Sequence, residues 1–180
     1  MPDPIIYFFV LIALSSNFLS FALGTGFALK SKVLGPAAVF TVVQLLLFII
    51  GWGLARLLIP MVTGHEAMIF HSIILFLGIK RTVRFFTVKK DARSFRLIHI
   101  FDVAGVATAV AIDAMIFGLG LGMVQEHPLN TLFLLAAITL AMGVFGVAVK
   151  RKMAVKDNGA LVELLSGVIL VIISIYILIK

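Results

Sequence analysis

Ala109-Val-Ala-Ile-Asp-Ala-Met-Ile-Phe-Gly-Leu-Gly-Leu-Gly122 carries one acid, Asp113, in an otherwise uncharged apolar run. An ionised carboxylate is costly in hydrocarbon, so such a residue faces a bundle interior or a polar cavity and marks a functional site by default. Gly118, Gly120 and Gly122 follow it, and there backbone can approach backbone or a ligand closely. A second stretch near the start, Ala13-Leu-Ser-Ser-Asn-Phe-Leu-Ser-Phe-Ala-Leu-Gly-Thr-Gly26, has the same plan. Laid over the first, Asn17 meets Asp113, Phe21 meets Phe117, Leu23 meets Leu119, and Gly24 and Gly26 meet Gly120 and Gly122. The two segments read as facing walls of one site.

The rest of the chain sets these segments in a membrane. Of 180 residues, 62% are hydrophobic and 13% charged, and the mean hydropathy is +1.22. A soluble domain is roughly half apolar and about one quarter charged. The chain has no Cys, which excludes a disulfide framework and a thiolate metal site. The N-terminal Met-Pro-Asp-Pro lacks a basic n-region and a cleavage site, so it does not read as a removed signal peptide.

A spanning helix needs about 20 mostly apolar residues. Six segments meet that length, at 5–29, 33–59, 67–86, 97–123, 131–149 and 158–179. Gly35-Pro36, Pro60 with Gly64, Pro128-Leu-Asn130 and Asp157-Asn-Gly159 punctuate them. The formal charge of +7 comes from basic residues with a sided distribution. Lys30 and Lys32 lie in the first connection. Lys80, Arg81, Arg84, Lys89, Lys90, Arg93 and Arg96 lie in or beside the third, and Lys150, Arg151, Lys152 and Lys156 in the fifth. The positive-inside rule puts these connections in the cytoplasm and both termini outside. They read as topology signals and contacts to anionic lipid, not as a nucleic-acid surface.

The expected fold is therefore an all-α polytopic membrane protein of one domain, 1–180. It consists of six transmembrane helices in two three-helix repeats, 1–90 and 91–180. The first and fourth segments run in opposite directions, which makes the repeat inverted, a transporter plan with its site near the midplane. The match between the second and fifth segments is poor.

Several polar residues could serve the site. Asn17 can ligate a hard cation through its amide oxygen or bond Asp113 directly, and Ser20 shares its face. Gln44, mid-way along the second segment, is either a ligand or an interhelical bond. Glu163, in Ala160-Leu-Val-Glu-Leu-Leu-Ser-Gly167, is a site or gate residue, or snorkels to the cytoplasmic interface. Asp102 precedes Asp113 by eleven residues, about 16 Å along the same face. It suits an acidic vestibule, or else pairs with His99 at the interface. His71 is a relay or a polar residue satisfied between helices. His65-Glu66 and Glu126-His127 fall in outer connections, and Trp52 reads as packing or an interfacial anchor. No His-Glu-x-x-His, Gly-x-Ser-x-Gly or Gly-x-x-x-x-Gly-Lys-Ser/Thr is present. The reading is accordingly not an enzyme, and active transport would draw on an ion gradient.

These residues resemble a known family. Ile12-Ala-Leu-Ser-Ser-Asn17 with Gly24-x-Gly26, Phe40-x-x-x-Gln44 with Gly51-Trp52, and Leu77-Gly-Ile-Lys80 are similar to motifs of the MntP family of manganese efflux pumps, within the LysE-type exporter superfamily. So are Ala111-Ile-Asp113-Ala114 with Gly118, and Glu163 with Gly167. The resemblance runs nearly end to end. It implies Mn²⁺ as transported substrate at the inner membrane, without a cofactor, with Asp113 and Asn17 at the centre and Gln44 and Glu163 in support. The family's Asp is replaced here by Asn17, which removes one formal charge but leaves an oxygen ligand. The expected mechanism is rocking of the two repeats about the midplane site, with proton exchange at Asp113 as an option. The alternative is a LysE-like exporter of a small organic solute, with Asp113 holding an amino group. A scaffold in which Asp113 bonds Asn17 for packing is a further alternative. Spacings such as Gly118 to Gly122 would serve packing within one chain or in a homo-oligomer.

Overall fold

The computed structural model describes residues 4–25, 34–87, 100–124, 127–153 and 159–179. Among them are six long α-helices and no strand: α1 (Pro4–Thr25), α2 (Leu34–Leu58), α3 (Glu66–Thr87), α4 (Ile100–Val124), α5 (Leu129–Met153) and α6 (Gly159–Ile179). They coincide with the six apolar segments to within a few residues. Lys30, Lys32, Lys89, Lys90, Arg93, Arg96, His99, Glu126, Lys156 and Gly26 lie outside the described residues, as do the side chains of Asp102, Lys150, Arg151 and Lys152.

The helices are apolar because lipid, not water, is their solvent. α1, α4 and α5 hardly segregate apolar from polar faces, the mark of a helix buried all round or spanning a membrane. Among the described residues four stretches are long and apolar enough to cross a bilayer: Gly35–Met61, Ala104–Val124, Leu129–Gly146 and Gly159–Ile179. Large apolar side chains point outward along them, including Val42, Leu46, Ile50, Phe133, Phe145 and Ile172. So much contiguous exposed hydrocarbon suits lipid and not water. The chain is a multi-pass membrane protein. Between α2 and α3 a 3₁₀ turn, Ile59–Met61, contains Pro60. Gly64 then takes a φ of 88°, a left-handed conformation that suits glycine, and its N–H donates to Glu66 Oε2 at 3.0 Å.

Three close pairs build the bundle. α2 and α4 run parallel, with Phe48 beside Gly118 and Trp52 and Ala55 beside Gly122. A Cβ on Gly51 or Gly118 would overlap a backbone carbonyl, that of Met115 or Phe48, and one on Gly122 would sit 2.7 Å from Ala55 Cβ. The glycines after Asp113 therefore serve helix contact: Gly118 and Gly122 against α2, and Gly120 against Phe70 and Ile73 of α3. α1 and α5 also run parallel. Tyr7 hydrogen-bonds Thr131, Ser15 bonds Thr139 at 3.0 Å, and the Phe18 ring fills the space a side chain would need at Gly143. α3 and α6 are antiparallel, with Gly78 against Val171, Gly167 against Thr82, and Ser174 Oγ donating to His71 O at 3.1 Å.

The α2–α4 seam yields a direct test. Gly118→Leu should lower the thermal midpoint of the purified protein in detergent, reflecting a stability loss of about 2 kcal/mol, since backbone cannot move aside as a side chain would. Gly105→Ala, where a Cβ meets nothing within 4 Å, should leave the midpoint unchanged or slightly raised.

Candidate functional site: an ionic centre between four helices

Asp113 lies near the middle of α4, 6% exposed. Its antiparallel neighbour α1 presents Asn17, whose Nδ2 donates to Asp113 Oδ2 at 3.1 Å. The two polar residues picked out by the repeated pattern are thus in contact. Among the described residues the Asn17 Oδ1 carries no hydrogen bond, so an oxygen is left for a ligand.

The third helix completes the centre. Buried residues on α3 are Phe70, Ile74, Leu77, Gly78 and Arg81, a spacing of three and four that forms one stripe. Arg81 is therefore carried into the interior, where its side chain is 2% exposed. Its Nε donates to Asp113 Oδ2 at 3.2 Å. Nη1 donates to the Ala13 carbonyl of α1 and to Ser166 Oγ of α6, the latter at 3.3 Å, and Nη2 reaches Leu14 O at 3.5 Å. Guanidinium is the side chain suited to this post, because its planar fork of donors can satisfy several acceptors at once. Lys80, one residue earlier, sits at the edge of the stripe. Its Nζ lies 2.6 Å from Asp113 Oδ1, and its side chain is 39% exposed.

This corrects the reading of Arg81 as a lipid contact and pairs Lys80 and Arg84 with acids of the bundle. α3 continues to Thr87, so all three are helical. Lys80 and Arg81 pair with Asp113, and Arg84 Nε lies 3.4 Å from Glu163 Oε1. The signal was present in the sequence, since Arg81 follows Leu77 by four residues and so falls on the same face.

The remaining candidates take distinct places. Glu163 is buried on α6 rather than turned out to the interface. Ser166 Oγ donates to the Glu163 carbonyl at 2.9 Å while accepting from Arg81, which links Glu163 to the centre through one hydroxyl. Gln44 is 3% exposed on α2, and among the described residues no hydrogen bond reaches its amide. The structure joins Asn17 and Asp113 directly, and among the described residues Gln44 makes no bond to either. Ser20 Oγ donates to Gly159 O at 2.6 Å, a packing contact between α1 and α6. Trp52 carries Arg56 over its ring at 5.0 Å, and half-buried His71 stands apart from the centre.

Chemically the cluster sets three cations against two carboxylates. Among the described residues no three His, Asp or Glu come together, so a metal held here would be bound by one carboxylate plus amide oxygens and water. Hard divalent ions accept such oxygen sets. A divalent ion about 4 Å from an ammonium is repelled by about 8 kcal/mol at an effective dielectric of about 20, so metal and Lys80 cannot share Asp113.

A polytopic helical protein with an enclosed ionic centre is the class that fold and site define. Residues 27–178 match the family described as "Mntp: Putative manganese efflux pump", and the chain belongs to that family. It is 26% identical over 174 residues to the "Putative manganese efflux pump MntP" of Paraburkholderia phytofirmans, covering 94% of this chain and 92% of the relative. Against the "Probable manganese efflux pump MntP" of Escherichia coli ATCC 8739 the figures are 28% over 177 residues, with 94% of each chain covered. No solved structure matches the chain.

Removing one member of a buried ion pair strands the other, at about 3–5 kcal/mol. Arg81→Met should therefore lower unfolding stability in detergent by that order. Ser166→Ala, which removes one of the four Arg81 acceptors, should lower it by about 1 kcal/mol.

Proposed function

We propose that this protein exports Mn²⁺ across the inner membrane, with Asp113 and Asn17 as the central ligands and Gln44 and Glu163 in support. The observation that carries the reading is the Asn17–Asp113 contact at 3.1 Å. It is a carboxylate and an amide meeting mid-helix, where a passing cation sheds water and needs replacement oxygens. Family membership and the names of the relatives supply the metal and the direction.

Alternating exposure of this centre on a six-span, inverted-repeat scaffold with both termini outside is the accompanying mechanism. The helix neighbours support such a repeat. Exchanging α1, α2 and α3 for α4, α5 and α6 turns α1–α5 into α4–α2 and α1–α6 into α4–α3. The pairs α3–α6, α2–α5 and α1–α4 map onto themselves. α3 is the least apolar of the six helices, and it supplies Lys80 and Arg81 to the ionic centre, where polarity is in demand.

One observation favours a second reading. Asp113 already holds a primary ammonium, that of Lys80, and a solute amine would bind in the same way. An exporter of small amine-bearing solutes is therefore the alternative.

Everted vesicles containing the protein should accumulate Mn²⁺, and Asp113→Asn should abolish that uptake while leaving the folded yield measurable. Amine-solute flux without Mn²⁺ flux would select the alternative. Full Mn²⁺ transport by Asp113→Asn would remove Asp113 from the mechanism.

A further inference from the structure

We infer that Lys80 is a tethered stand-in for the transported cation, occupying Asp113 while the carrier is empty and withdrawing when metal binds, with Arg81 as the fixed partner. This rests on the Mn²⁺ reading of Asp113.

The two cations on Asp113 are held very differently. Each takes its own oxygen: Lys80 Nζ takes Oδ1 at 2.6 Å and Arg81 Nε takes Oδ2 at 3.2 Å. Arg81 is also bound to Ala13 O, Leu14 O and Ser166 Oγ, so its departure would break contacts to three helices. Among the described residues Asp113 is the one partner of the Lys80 ammonium, and the Lys80 side chain is 39% exposed against 2% for Arg81. Successive helix residues point about 100° apart, which places one side chain in the interior and the other at its margin. A lysine stem is flexible and can carry its charge back to water.

A hard divalent cation binds a carboxylate oxygen at about 2.0–2.6 Å, the distance at which Lys80 now sits. Oδ1 therefore has one occupant at a time, while Oδ2 keeps Arg81 and Asn17 throughout. The exchange gives the site two defined states with no bare acid in either. Arrival of metal expels the ammonium, and return of the ammonium expels the metal. An empty carrier of this kind resets without a second ion, so net efflux into metal-free medium runs with no imposed proton gradient.

The test uses the full-length protein with Mn²⁺ itself as probe. Bound Mn²⁺ is read by electron paramagnetic resonance on detergent-purified wild type, Lys80→Met, Lys80→Arg and Asp113→Asn. Lys80→Met should bind at least tenfold more tightly than wild type, and Lys80→Arg, which restores a cation, should not. In proteoliposomes Lys80→Met should lose net efflux more than Mn²⁺–Mn²⁺ exchange, because nothing displaces the ion. In the wild type, saturating Mn²⁺ should speed acylation of the Lys80 amine, read by peptide mass spectrometry, a change that a purely structural lysine would not show. Equal or weaker Mn²⁺ binding by Lys80→Met, with binding still lost in Asp113→Asn, would overturn the stand-in and leave the Mn²⁺ reading intact. Absence of Mn²⁺ binding by the wild type would remove both.

Discussion

A carboxylate inside an apolar bundle has to find positive charge, and here Arg81 provides it. Taking both groups out of water is costly, and their attraction compensates only when geometry is good and the remaining donors are satisfied. Those demands explain why four helices meet at this point. α4 brings the acid, α3 the guanidinium, α1 an amide and two carbonyls, and α6 a hydroxyl. Ala13 O is able to serve both Ser16 Oγ and Arg81 because a carbonyl has two lone pairs.

Apolar layers close the centre on both sides. Phe21 follows Asn17 by one turn and Phe117 follows Asp113 by one turn, on helices that run in opposite directions, so the two rings lie on opposite sides of the polar pair. On one side Phe21 and Phe18 meet Phe40, with Phe18 and Phe40 stacked at 4.2 Å. On the other, Phe117 packs between Phe48 and Phe70, at 6.2 and 6.0 Å. Burial of Asp113 and Arg81 strengthens the charge–charge contact between them.

Much of this was legible in the sequence. Helices in lipid must be long and apolar, so six segments could be read from hydropathy, and polar residues there are rare enough for Asn17 and Asp113 to stand out. Their contact followed from a matched pattern on two oppositely directed segments. What could not be read was how the charge on Asp113 is balanced. A basic residue at the end of an apolar run can turn outward to headgroups or inward to an acid, and composition treats both alike. Helical phase would have separated Arg81 from Arg84, since only Arg81 continues the stripe of Ile74 and Leu77. The same limit applied to the glycines after Asp113. Spacing shows that something approaches closely, and here it was α2 at Gly118 and Gly122 and α3 at Gly120 rather than a ligand.

The close seams also constrain how the molecule can deform. Each joins a helix from the first half of the chain to one from the second: α2 to α4, α1 to α5 and α3 to α6. Along α2 and α4, main chain rests on main chain at Gly51 and Gly118, and such a surface resists prying apart far more than lengthwise shear. Movement of one half of the polypeptide against the other would therefore run along these seams and not open them. Mechanical compliance belongs to the sparse α1–α4 boundary, so a displacement that unseats Asn17 from Asp113 would slide one interlocked pair of helices past another and keep the glycine seams whole.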